Sequence, residues 1–396
     1  MLTVKEAKQL LFNSTKQLSE LQIDVVESLG YVLAQNILSP FDSPLFNQSA
    51  MDGFAVRVND VPATETVSLQ IIGEVKAGDK PVNKLKNNTA IYIYTGSAVP
   101  VNATAVVIQE KATVENKTLI FPVSALKPGG NIRYKATQIR KGEIALSKGT
   151  LLSAAGIGWL CSMGLKKVKV ISKPTVSILA TGNELRKPGE KLLPGQIYES
   201  NSMMLNAALH ETGFKALHVK SVADNEKLIY SNIEKMLNTA DVAIISGGIS
   251  VGKYDFVKAA LTKLGVKELF YKVSQKPGKP LFVGTKGRSM MFALPGNPAS
   301  ALVCFYQYVL PVLRKMSGHK NIELKKEMLQ LAEGFEIKTE RDLFLKAKIE
   351  NGIVKLLGGQ ESNILKSFAE ANALVYFEAG NIKITKGEKV ETYLFP

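Results

Sequence analysis

Between residues 174 and 318, short apolar runs alternate with amphipathic stretches of helical period, and this alternation limits the possible folds more than any other feature. The apolar runs are PTVSILA, ALHVKSVA, DVAIISGG, LFYKVS, PLFVGT and MMFALPG. The helical stretches are SNSMMLNAALHETG, NEKLIYSNIEKMLN, DFVKAALTKLG and NPASALVCFYQYVLPVLRKMSG. Apolar strands separated by helices predict a parallel sheet that helices cover on both faces.

The segments that follow several of these strands are rich in glycine and polar residues. TGNEL, GGISVGKYDF, QKPGKP and PGNPAS each come directly after an apolar run. In open parallel sheets, ligands bind at the carboxyl ends of the strands. We therefore expect these segments to converge at one edge of the sheet and to form a binding site there.

Two of these loops have residues suited to bind an anion. SGGISVGKYD contains three glycines within seven positions, and such a loop exposes successive backbone N–H groups to a phosphate near a helix N-terminus. The alternative is a sharp turn that lets a helix pack closely against a strand. QKPGKP places Lys276 and Lys279 around a Pro-Gly turn, where their ammonium groups either bind an oxyanion or remain solvated.

The segment PGNPAS predicts the start of a helix, with Asn297 as the N-cap and Pro298 in the first turn. We expect this helix to run to about residue 318 and to kink at Pro311. The free N–H groups from Asn297 to Ser300 are also expected to attract an anion, because the N-terminal end of a helix is electropositive.

Carboxylates lie beside these loops. Glu184 follows the strand PTVSILA, and its spacing from Thr181 also matches a capping box. Asp224 and Asp255 precede helical stretches, so each either caps a helix or holds a ligand. Carboxylate oxygens beside a phosphate-binding loop are the ligands that Mg²⁺ requires. The pattern fits an enzyme that acts on a nucleotide, but it names no reaction.

Outside this region the pattern of the sequence changes. A capping box from Thr3 to Glu6 opens an N-terminal helix, and a second helical pattern covers about 21–38. Short alternating runs between turns predict a β-rich region, and after residue 322 the pattern is β again, with a hairpin signal at Asn351-Gly352. A small C-terminal barrel or sandwich is expected. The predicted domains are 1–40 plus 138–172, 41–137, 173–321 and 322–396.

Composition narrows the class of protein. The 396-residue chain is 45% hydrophobic, and no run approaches the roughly 18 apolar residues that a membrane helix needs. The N-terminus lacks an apolar signal segment, and the two cysteines are expected to be buried free thiols, so we predict a cytoplasmic protein without a zinc site. The net charge of +15 favours anionic partners, but no nucleic-acid-binding motif is present, so nucleic acid is not the expected partner.

The segments SAMDGFAV, YTGSAVP, TGNEL, SGGISVGKYDF, KPGKP and PGNPAS occur in the order and approximate spacing of a known family. Through them, over essentially the whole chain, the sequence resembles the molybdopterin molybdotransferases, relatives of the C-terminal domain of gephyrin. The resemblance implies a multidomain α/β fold. Its parts would be a doubly wound molybdopterin-binding α/β domain, an inserted β domain, an elongated helical linker domain and a C-terminal β barrel.

The resemblance also implies an activity, which is insertion of molybdate into adenylylated molybdopterin with release of AMP, supported by Mg²⁺. It implies a homodimer whose cleft lies between the α/β domain of one subunit and the inserted β domain of the other. A molybdopterin adenylyltransferase and apo-molybdoenzymes are the further partners that it suggests. Two alternatives stay open, namely that the chain is itself an adenylyltransferase, or that it is a binding scaffold with weak or no catalysis.

The family motifs carry site residues over to this chain position by position. Asp52 and Thr95 are expected on the inserted domain's face of the cleft, opposite the partner subunit's Glu184, with Gly53 letting the backbone come close. The implied catalytic residues are Asp52, Thr95, Glu184 and Asp255, of which Asp52, Glu184 and Asp255 would hold Mg²⁺. The implied substrate-binding residues are Gly247, Gly248, Ser250, Asp224, Lys272, Lys276, Lys279, Pro295, Asn297 and Ser300.

Some positions depart from the family pattern. The family usually has an acidic pair where this chain has Thr137 and Gln138, and often an aspartate where it has Asn183. These losses of charge are the basis of the weak-catalysis alternative. Ser367 and Lys346 align loosely with a family serine and arginine, and a lysine cannot supply the bidentate fork of an arginine.

Overall fold

The structure, a computed structural model, describes residues 1–60, 65–80, 84–249 and 256–396. The chain forms two compact units. Unit 1 comprises Met1–Ala34, Gly149–Ala154 and Lys167–Pro396, and unit 2 comprises Gln35–Lys148 and Ala155–Lys166. The four-domain division given above stays a prediction.

The secondary structure elements are as follows. The α-helices are α1 (Val4–Ser14), α2 (Ala154–Ser162), α3 (Asn201–Glu211), α4 (Glu226–Thr239), α5 (Phe256–Lys263), α6 (Pro298–Cys304), α7 (Leu310–Met316) and α8 (Lys366–Glu370), and a π-helical segment, Phe305–Val309, joins α6 to α7. The strands up to residue 171 are β1 (Glu20–Asp24), β2 (Ile37–Leu38), β3 (Gln48–Ser49), β4 (Gly53–Val56), β5 (Thr66–Val75), β6 (Thr89–Ile93), β7 (Ala105–Ile108), β8 (Thr113–Glu115), β9 (Thr118–Pro122), β10 (Ile132–Arg133), β11 (Ile144–Leu146) and β12 (Lys167–Ile171). The later strands are β13 (Val176–Thr181), β14 (Leu185–Arg186), β15 (Ile197–Tyr198), β16 (Ala216–Val222), β17 (Val242–Ser246), β18 (Lys267–Phe270), β19 (Gln275–Lys276), β20 (Phe282–Lys286), β21 (Ser289–Leu294), β22 (Lys326–Leu331), β23 (Phe335–Thr339), β24 (Asp342–Glu350), β25 (Ile353–Leu356), β26 (Ala373–Phe377), β27 (Gly380–Ile384) and β28 (Lys389–Leu394).

The main sheet of unit 1 has the strand order β16-β13-β17-β21-β20-β18. Strands β16, β13, β17 and β21 are parallel, as predicted. The prediction of a wholly parallel sheet is wrong at β20, which runs antiparallel to both β21 and β18. No helix separates β20 from β21, and a short turn allows only an antiparallel return. Because β18 runs in the same direction as β21, the segment after β18 still lies at the carboxyl edge of the parallel strands.

Helices cover both faces of this sheet, which confirms the doubly wound class. Ile178 packs on one face with residues of α1, α3, α6 and α7. The next residue, Leu179, packs on the other face with residues of α4 and α5. Neighbouring residues of a strand point to opposite faces, so the continuous apolar strands supply both layers of the core. Helix α1 begins with the predicted capping box, in which the Glu6 N–H donates to Thr3 Oγ1 at 3.2 Å.

The C-terminal part of unit 1 is a closed barrel, as expected. Strand β24 pairs with β25 and β26, β25 with β22, β22 with β28, and β28 with β26, so the ring closes on itself. The predicted hairpin at Asn351-Gly352 joins β24 to β25, and both residues have positive φ, at 51° and 77°. That geometry is the type I′ turn that an Asn-Gly pair favours. Strand β19 adds to the edge of the barrel beside β24.

Unit 2 contains a sheet of order β7-β4-β6-β5-β9-β8, formed by the predicted alternating runs. Its core is built from alternate residues of these strands, such as Val67, Leu69, Leu119 and Phe121. Gly53 in β4 has a strict steric role within this sheet. A Cβ atom there would lie 2.1 Å from the carbonyl oxygen of Val107 in β7. The close approach for which Gly53 is needed is therefore to a neighbouring strand.

Two expectations about local structure are wrong, and a third stays a prediction. The helix predicted over 21–38 is instead β1, which pairs antiparallel with β12, then a 3-10 turn at Val25–Glu27, and at its end the short strand β2. β-Branched residues such as Ile23 in β1 and Val168 opposite it in β12 favour that pairing. The helical run after Asn297 continues to Met316 through a π-helical segment, Pro311 lies just beyond that segment in the first turn of α7, and the kink at Pro311 stays a prediction. Cys161 is exposed, although both cysteines are free as predicted.

Candidate functional site

A polar cavity of about 440 Å³ lies at the carboxyl edge of the parallel strands in unit 1. Five residues predicted for the site line it together: Glu184, Asp224, Gly247, Gly248 and Asn297. Other residues that line it were not predicted as site residues: Thr181, Tyr198, Glu199, Ser200, Asn201, Ser246 and Asn363. The convergence of TGNEL, GGIS and PGNPAS is therefore confirmed.

The turn after β17 contains two glycines that this backbone requires. Gly247 and Gly248 have φ values of 90° and 68°. A Cβ on Gly247 would lie 2.5 Å from the carbonyl oxygen of Thr181, and one on Gly248 would lie 2.5 Å from Cγ2 of Val257 in α5. The alternative interpretation, a sharp turn that lets helix α5 pack closely against the sheet, is thus confirmed. The same turn also exposes backbone to the cavity, as a phosphate-binding turn requires. Ser250 and Asp255 lie outside the described residues.

Glu184 and Asp224 do not cap helices, whereas Glu199 accepts a hydrogen bond of 2.8 Å from the Ser202 N–H in the first turn of α3. Thr181 ends β13 and no helix begins there, which excludes the capping-box interpretation of Glu184. Helix α4 is capped by Asn225, whose side chain accepts from the Leu228 N–H. Among the described residues, no side chain donates a hydrogen bond or pairs with the carboxylate of Glu184 or Asp224. Within the described ranges, both carboxylates thus line the cavity without a protein partner.

Asn183 fixes the backbone beside these acids. Its Oδ1 accepts a hydrogen bond of 3.0 Å from the backbone N–H of Asp224. An aspartate would accept the same bond, so the amide at this position keeps the structural contact and removes only the charge. The contact ties the loop after β13 to the loop after β16, and it holds Asp224 at the cavity.

The start of α6 is the third wall of the cavity. Asn297 is the N-cap by backbone position, as predicted, but its side chain donates to Ser362 Oγ at 2.8 Å and does not cap the helix. The N–H of Ala299 donates to the Ser362 carbonyl at 3.2 Å. The expectation that this N–H is free for an anion is therefore wrong, because a barrel loop occupies it. Pro295 is buried at the end of β21.

Buried polar groups line the floor of the cavity. Asn201, at the start of α3, donates through Nδ2 to Ser246 Oγ at 2.8 Å and to the Gly296 carbonyl at 2.7 Å. Thr181 Oγ1 is buried and has no hydrogen-bond partner within the described part of the chain. Unpaired buried hydroxyl groups are rare in folded proteins and mark places where a ligand or water completes the structure.

The predicted lysines stand apart from this lining. Lys276 and Lys279 are exposed on the turn after β19, and Lys272 is half-buried just before it. The turn packs on α6, since a Cβ on Gly278 would lie 3.6 Å from the carbonyl oxygen of Ser300. Ser300 itself is buried in α6. The structure therefore places these residues behind the helix start, next to the cavity wall and outside the cavity lining.

The loop from Leu357 to Leu365 of the barrel brings Asn363 to the cavity, and a buried lysine holds this loop. Lys346 is 2% exposed. Its Nζ donates to the carbonyls of Gly359, of Glu361 at 3.3 Å and of Ile364 at 3.1 Å. Ser367 Oγ donates to the same Gly359 carbonyl at 2.7 Å. Burial lowers the pKa of the Lys346 ammonium.

In unit 2, Asp52 and Thr95 lie together as predicted. Asp52 Oδ1 accepts hydrogen bonds from Thr95 N–H and from Thr95 Oγ1, both at 2.7 Å. These bonds, first the backbone one and then the side-chain one, lower the pKa of Asp52. Tyr92 lies nearby and donates to Gln109 Oε1 at 2.6 Å. Burial and the charge of Asp52 raise the pKa of Tyr92.

Gln138, which stands where the family has an acid, also lies in unit 2. Its Oε1 accepts a hydrogen bond of 3.0 Å from Ser43 Oγ, and its N–H donates to the Ser43 carbonyl at 2.9 Å. Together with Thr137 and Arg133 it lines a separate cavity of about 440 Å³. The amide supports local structure there and carries no charge.

A larger cavity of about 980 Å³ lies elsewhere in unit 1, where α3 and α7 end. The side chains of His319 and Lys173 meet carbonyl groups at those helix ends. His319 Nδ1 lies 3.2 Å from the Arg314 carbonyl, and Lys173 Nζ donates to the Gly213 carbonyl at 2.9 Å. Burial lowers the pKa of His319 to about 4. These contacts satisfy carbonyl groups at two helix ends, so His319 and Lys173 have a structural explanation.

No group of three or more His, Cys, Asp or Glu side chains is placed to bind a metal within the ranges that the structure describes. Across those same ranges, no helix has both the length and the apolar content to cross a bilayer.

Comparison with known proteins gives consistent matches along the chain. Residues 2–164 match the model for the MoeA N-terminal region (domain I and II), residues 177–315 match a "Probable molybdopterin binding domain", and residues 329–395 match the MoeA C-terminal region (domain IV). A molybdopterin molybdenumtransferase from Nostoc sp. is 34% identical over 100% of this chain and 94% of its own length. The corresponding protein from Haemophilus influenzae is 32% identical over 98% of each chain.

A solved structure agrees with these sequence matches. The crystal structure of a molybdopterin biosynthesis MoeA protein from Pyrococcus horikoshii OT3 superposes with a TM-score of 0.82 at 30% sequence identity. The superposition covers 100% of both chains. Similarity of this extent at full length confirms both the fold class and the resemblance found in the sequence motifs. The chain belongs to the molybdopterin molybdenumtransferase family.

Proposed function

We propose that this protein transfers molybdenum from molybdate to adenylylated molybdopterin and releases AMP, as a transferase of molybdenum cofactor biosynthesis. The observation that carries the proposal is the polar cavity of unit 1, where motifs distant in sequence meet in a chain that matches the family over its whole length. The glycine turn after β17 and the start of α6 would hold the pyrophosphate. The exposed lysines Lys276 and Lys279 would hold molybdate.

The reaction needs no protein nucleophile. A molybdate oxygen attacks the adenylyl phosphorus, an O–P bond forms, and the P–O bond to the molybdopterin phosphate breaks. The two dithiolene sulfurs then bind molybdenum, the Mo–O bond to AMP breaks, and AMP leaves with the molybdate oxygen. Both substrates are anions, so the chain must supply positive charge. Lys276 and Lys279, with Lys272 beside them, would supply it by electrostatic preorganisation.

Mg²⁺ is the cofactor that the family resemblance implies. The donor set fits, because the Glu184 and Asp224 carboxylates face one cavity without protein partners among the described residues, and Mg²⁺ in proteins is held by one or two carboxylates together with substrate phosphates and water. We propose Glu184 as a ligand, with Asp224 beside it. Asp255 and Asp52 are the further ligands that the family motifs suggest. The ion would neutralise charge on the pyrophosphate.

We further propose that the active protein is a homodimer in which unit 2 of one subunit completes the cavity of the other. The hydrogen bonding and the ionisation of Asp52 support this proposal. Its Oδ1 is occupied by Thr95, whereas its Oδ2 has no partner among the described residues, and its lowered pKa keeps it ionised. Such a carboxylate is ready to bind a cation or to orient a substrate group. A cytoplasmic location also stays a prediction.

A substitution in the cavity tests the proposed chemistry. Glu184→Gln keeps the shape and removes the charge, so we expect molybdate-dependent AMP release to fall at least about a hundredfold, the scale of losing one electrostatic group. Glu190→Gln is the matched control, because Glu190 lies in the same loop but lines a different cavity. Wild-type turnover in Glu184→Gln would overturn this residue assignment.

A mixing experiment tests the shared site. Asp52→Asn and Glu184→Gln are each expected to be inactive as homodimers. If the two residues act across a two-fold interface, a heterodimer contains one doubly altered site and one intact site. Equal mixing with subunit exchange should then restore roughly a quarter of wild-type activity. No recovery despite demonstrated exchange would contradict a site shared between subunits.

A further inference from the structure

The turn that carries Lys276 and Lys279 rests on a buried hydrogen-bond network. Gln275, which precedes the turn, is 0% exposed, and its Oε1 accepts a short hydrogen bond from the hydroxyl group of Tyr308, which is also 0% exposed. Gln275 Nε2 donates to the Pro277 carbonyl inside the turn at 3.0 Å. The glutamine therefore links the turn to the helix behind it through both ends of its amide.

Cys304 and the backbone of Gly278 close this network. The thiol Sγ lies 3.7 Å from Gln275 Nε2 and 3.8 Å from the Gly278 carbonyl. A Cβ on Gly278 would lie 2.7 Å from both Cys304 Sγ and Gln275 Nε2, and Gly278 has a φ of 92°. The turn thus lies directly on these side chains, without space for another residue type at its centre.

The helix behind the turn is the one that begins at the cavity. Asn297 and Pro298 at its start line the cavity, and Tyr308 lies in the π-helical segment that continues it. π-Helical insertions are rare and occur frequently at functional sites, because they redirect side chains. The helical element from Pro298 to Met316 therefore contacts both the proposed pyrophosphate site and the turn that carries Lys276 and Lys279.

Neither Gln275 nor Tyr308 is accessible to a substrate, since both are fully buried. A phenylalanine would fill the same space as Tyr308, so packing alone does not explain the hydroxyl group. We propose that Gln275 and Tyr308 are positioning residues, which fix the backbone of the Lys276–Lys279 turn and thereby the place of its two ammonium groups. This inference rests on the proposed function, in which those lysines bind molybdate.

The first test is Tyr308→Phe, with Tyr306→Phe as its matched control. Tyr306 lies in the same π-helical segment, but its hydroxyl donates to Glu211 Oε2 at 2.9 Å, away from the turn. Loss of the Tyr308 hydroxyl leaves Gln275 Oε1 buried without its donor, so we expect KM for molybdate to rise about tenfold. The Kd for adenylylated molybdopterin should change by less than about twofold, and Tyr306→Phe should alter neither value.

A double-mutant cycle separates positioning from general destabilisation. If Tyr308 acts through the turn, Tyr308→Phe should change KM for molybdate no further in a Lys276→Ala background. If Tyr308 only stabilised the fold, Tyr308→Phe would raise KM for molybdate by the same factor in both backgrounds. Gln275→Leu removes both hydrogen bonds of the amide, from Tyr308 and to the Pro277 carbonyl, so it should raise KM for molybdate at least as far as Tyr308→Phe does.

The outcomes distinguish a failure of the positioning role from a failure of the proposed function. Molybdate-dependent AMP release by the wild type, together with a normal molybdate KM in Tyr308→Phe, would overturn the positioning role and leave the proposed function intact. An undiminished effect of Tyr308→Phe in the Lys276→Ala background would also overturn it. Absence of molybdate-dependent release in the wild type would overturn both.

Discussion

Lys346 offers the sharpest test of how the barrel supports the site, because its ammonium group is buried without a carboxylate partner in direct contact. We consider Lys346→Met, which keeps the aliphatic stem and removes the charged donor. The Ile364 carbonyl then has no other donor among the described residues, whereas the Gly359 carbonyl keeps Ser367 and the Glu361 carbonyl keeps the Ile364 N–H.

The expected magnitude follows from these partners. An orphaned buried carbonyl costs about 1–3 kcal/mol, and the loss of two further bonds from a charged donor costs about 1 kcal/mol each where a second donor remains. Methionine regains about 2 kcal/mol, because no charge is desolvated on folding. We therefore expect the free energy of unfolding to fall by about 2 kcal/mol.

Urea denaturation followed by circular dichroism measures this change. Lys348→Met is the matched control, since Lys348 lies two residues along the same strand but is exposed and paired with Glu350 at 2.7 Å. It should leave the free energy of unfolding essentially unchanged, because an exposed ion pair contributes little. Equal values for the two variants would refute the reasoning. Because Asn363 lines the cavity, Lys346→Met should also weaken the binding of adenylylated molybdopterin, as calorimetry can show.

Three further predictions concern stability and pH. Gly53→Ala should lower the free energy of unfolding by at least about 2 kcal/mol, because its Cβ meets a neighbouring carbonyl, whereas Gly73→Ala, with open space around it, should not. The folded-state pKa of His319, about 4, lies below the unfolded value of 6.5, so the unfolded chain binds more protons between these values. The stability of the wild type should fall by about 1–2 kcal/mol from pH 7 to pH 5, and His319→Gln should remove that slope in urea titrations. Thr95→Val should raise the pKa of Asp52 and move the acid limb of the pH–activity profile to higher pH, and an unmoved limb would contradict the role given to this pair.

Much of the fold was predictable because local pattern and tertiary structure agree. The alternation of apolar runs and helices gave the doubly wound sheet, and the Asn351-Gly352 pair gave the barrel hairpin. Where the local sequence pattern favours a helix but the segment pairs with a distant strand, the predicted secondary structure is wrong. Residues 21–38 have apolar residues at helical spacing, but Leu21 and Ile23 pair with β12, a strand about 150 residues away in the sequence, and no local signal reports that partner.

The site was predictable in its loops but not in its contacts. Glu184 and the Gly247-Gly248 turn followed from their position after strands of a parallel sheet. Asn201 was missed, although a polar residue at the start of a helix beside that edge is a usable signal. The contact of Asn297 with Ser362 joins residues 65 positions apart, and only the folded barrel brings them together.

The central claim is that this chain couples molybdate to the release of AMP from adenylylated molybdopterin. The most direct measurement mixes the purified protein with adenylylated molybdopterin, Mg²⁺ and ¹⁸O-labelled molybdate, and follows AMP by chromatography and mass spectrometry. The account predicts AMP only when molybdate is present, with one label in its phosphate. AMP that forms at the same rate without molybdate, or no AMP at all while the protein consumes ATP with molybdopterin, would contradict it.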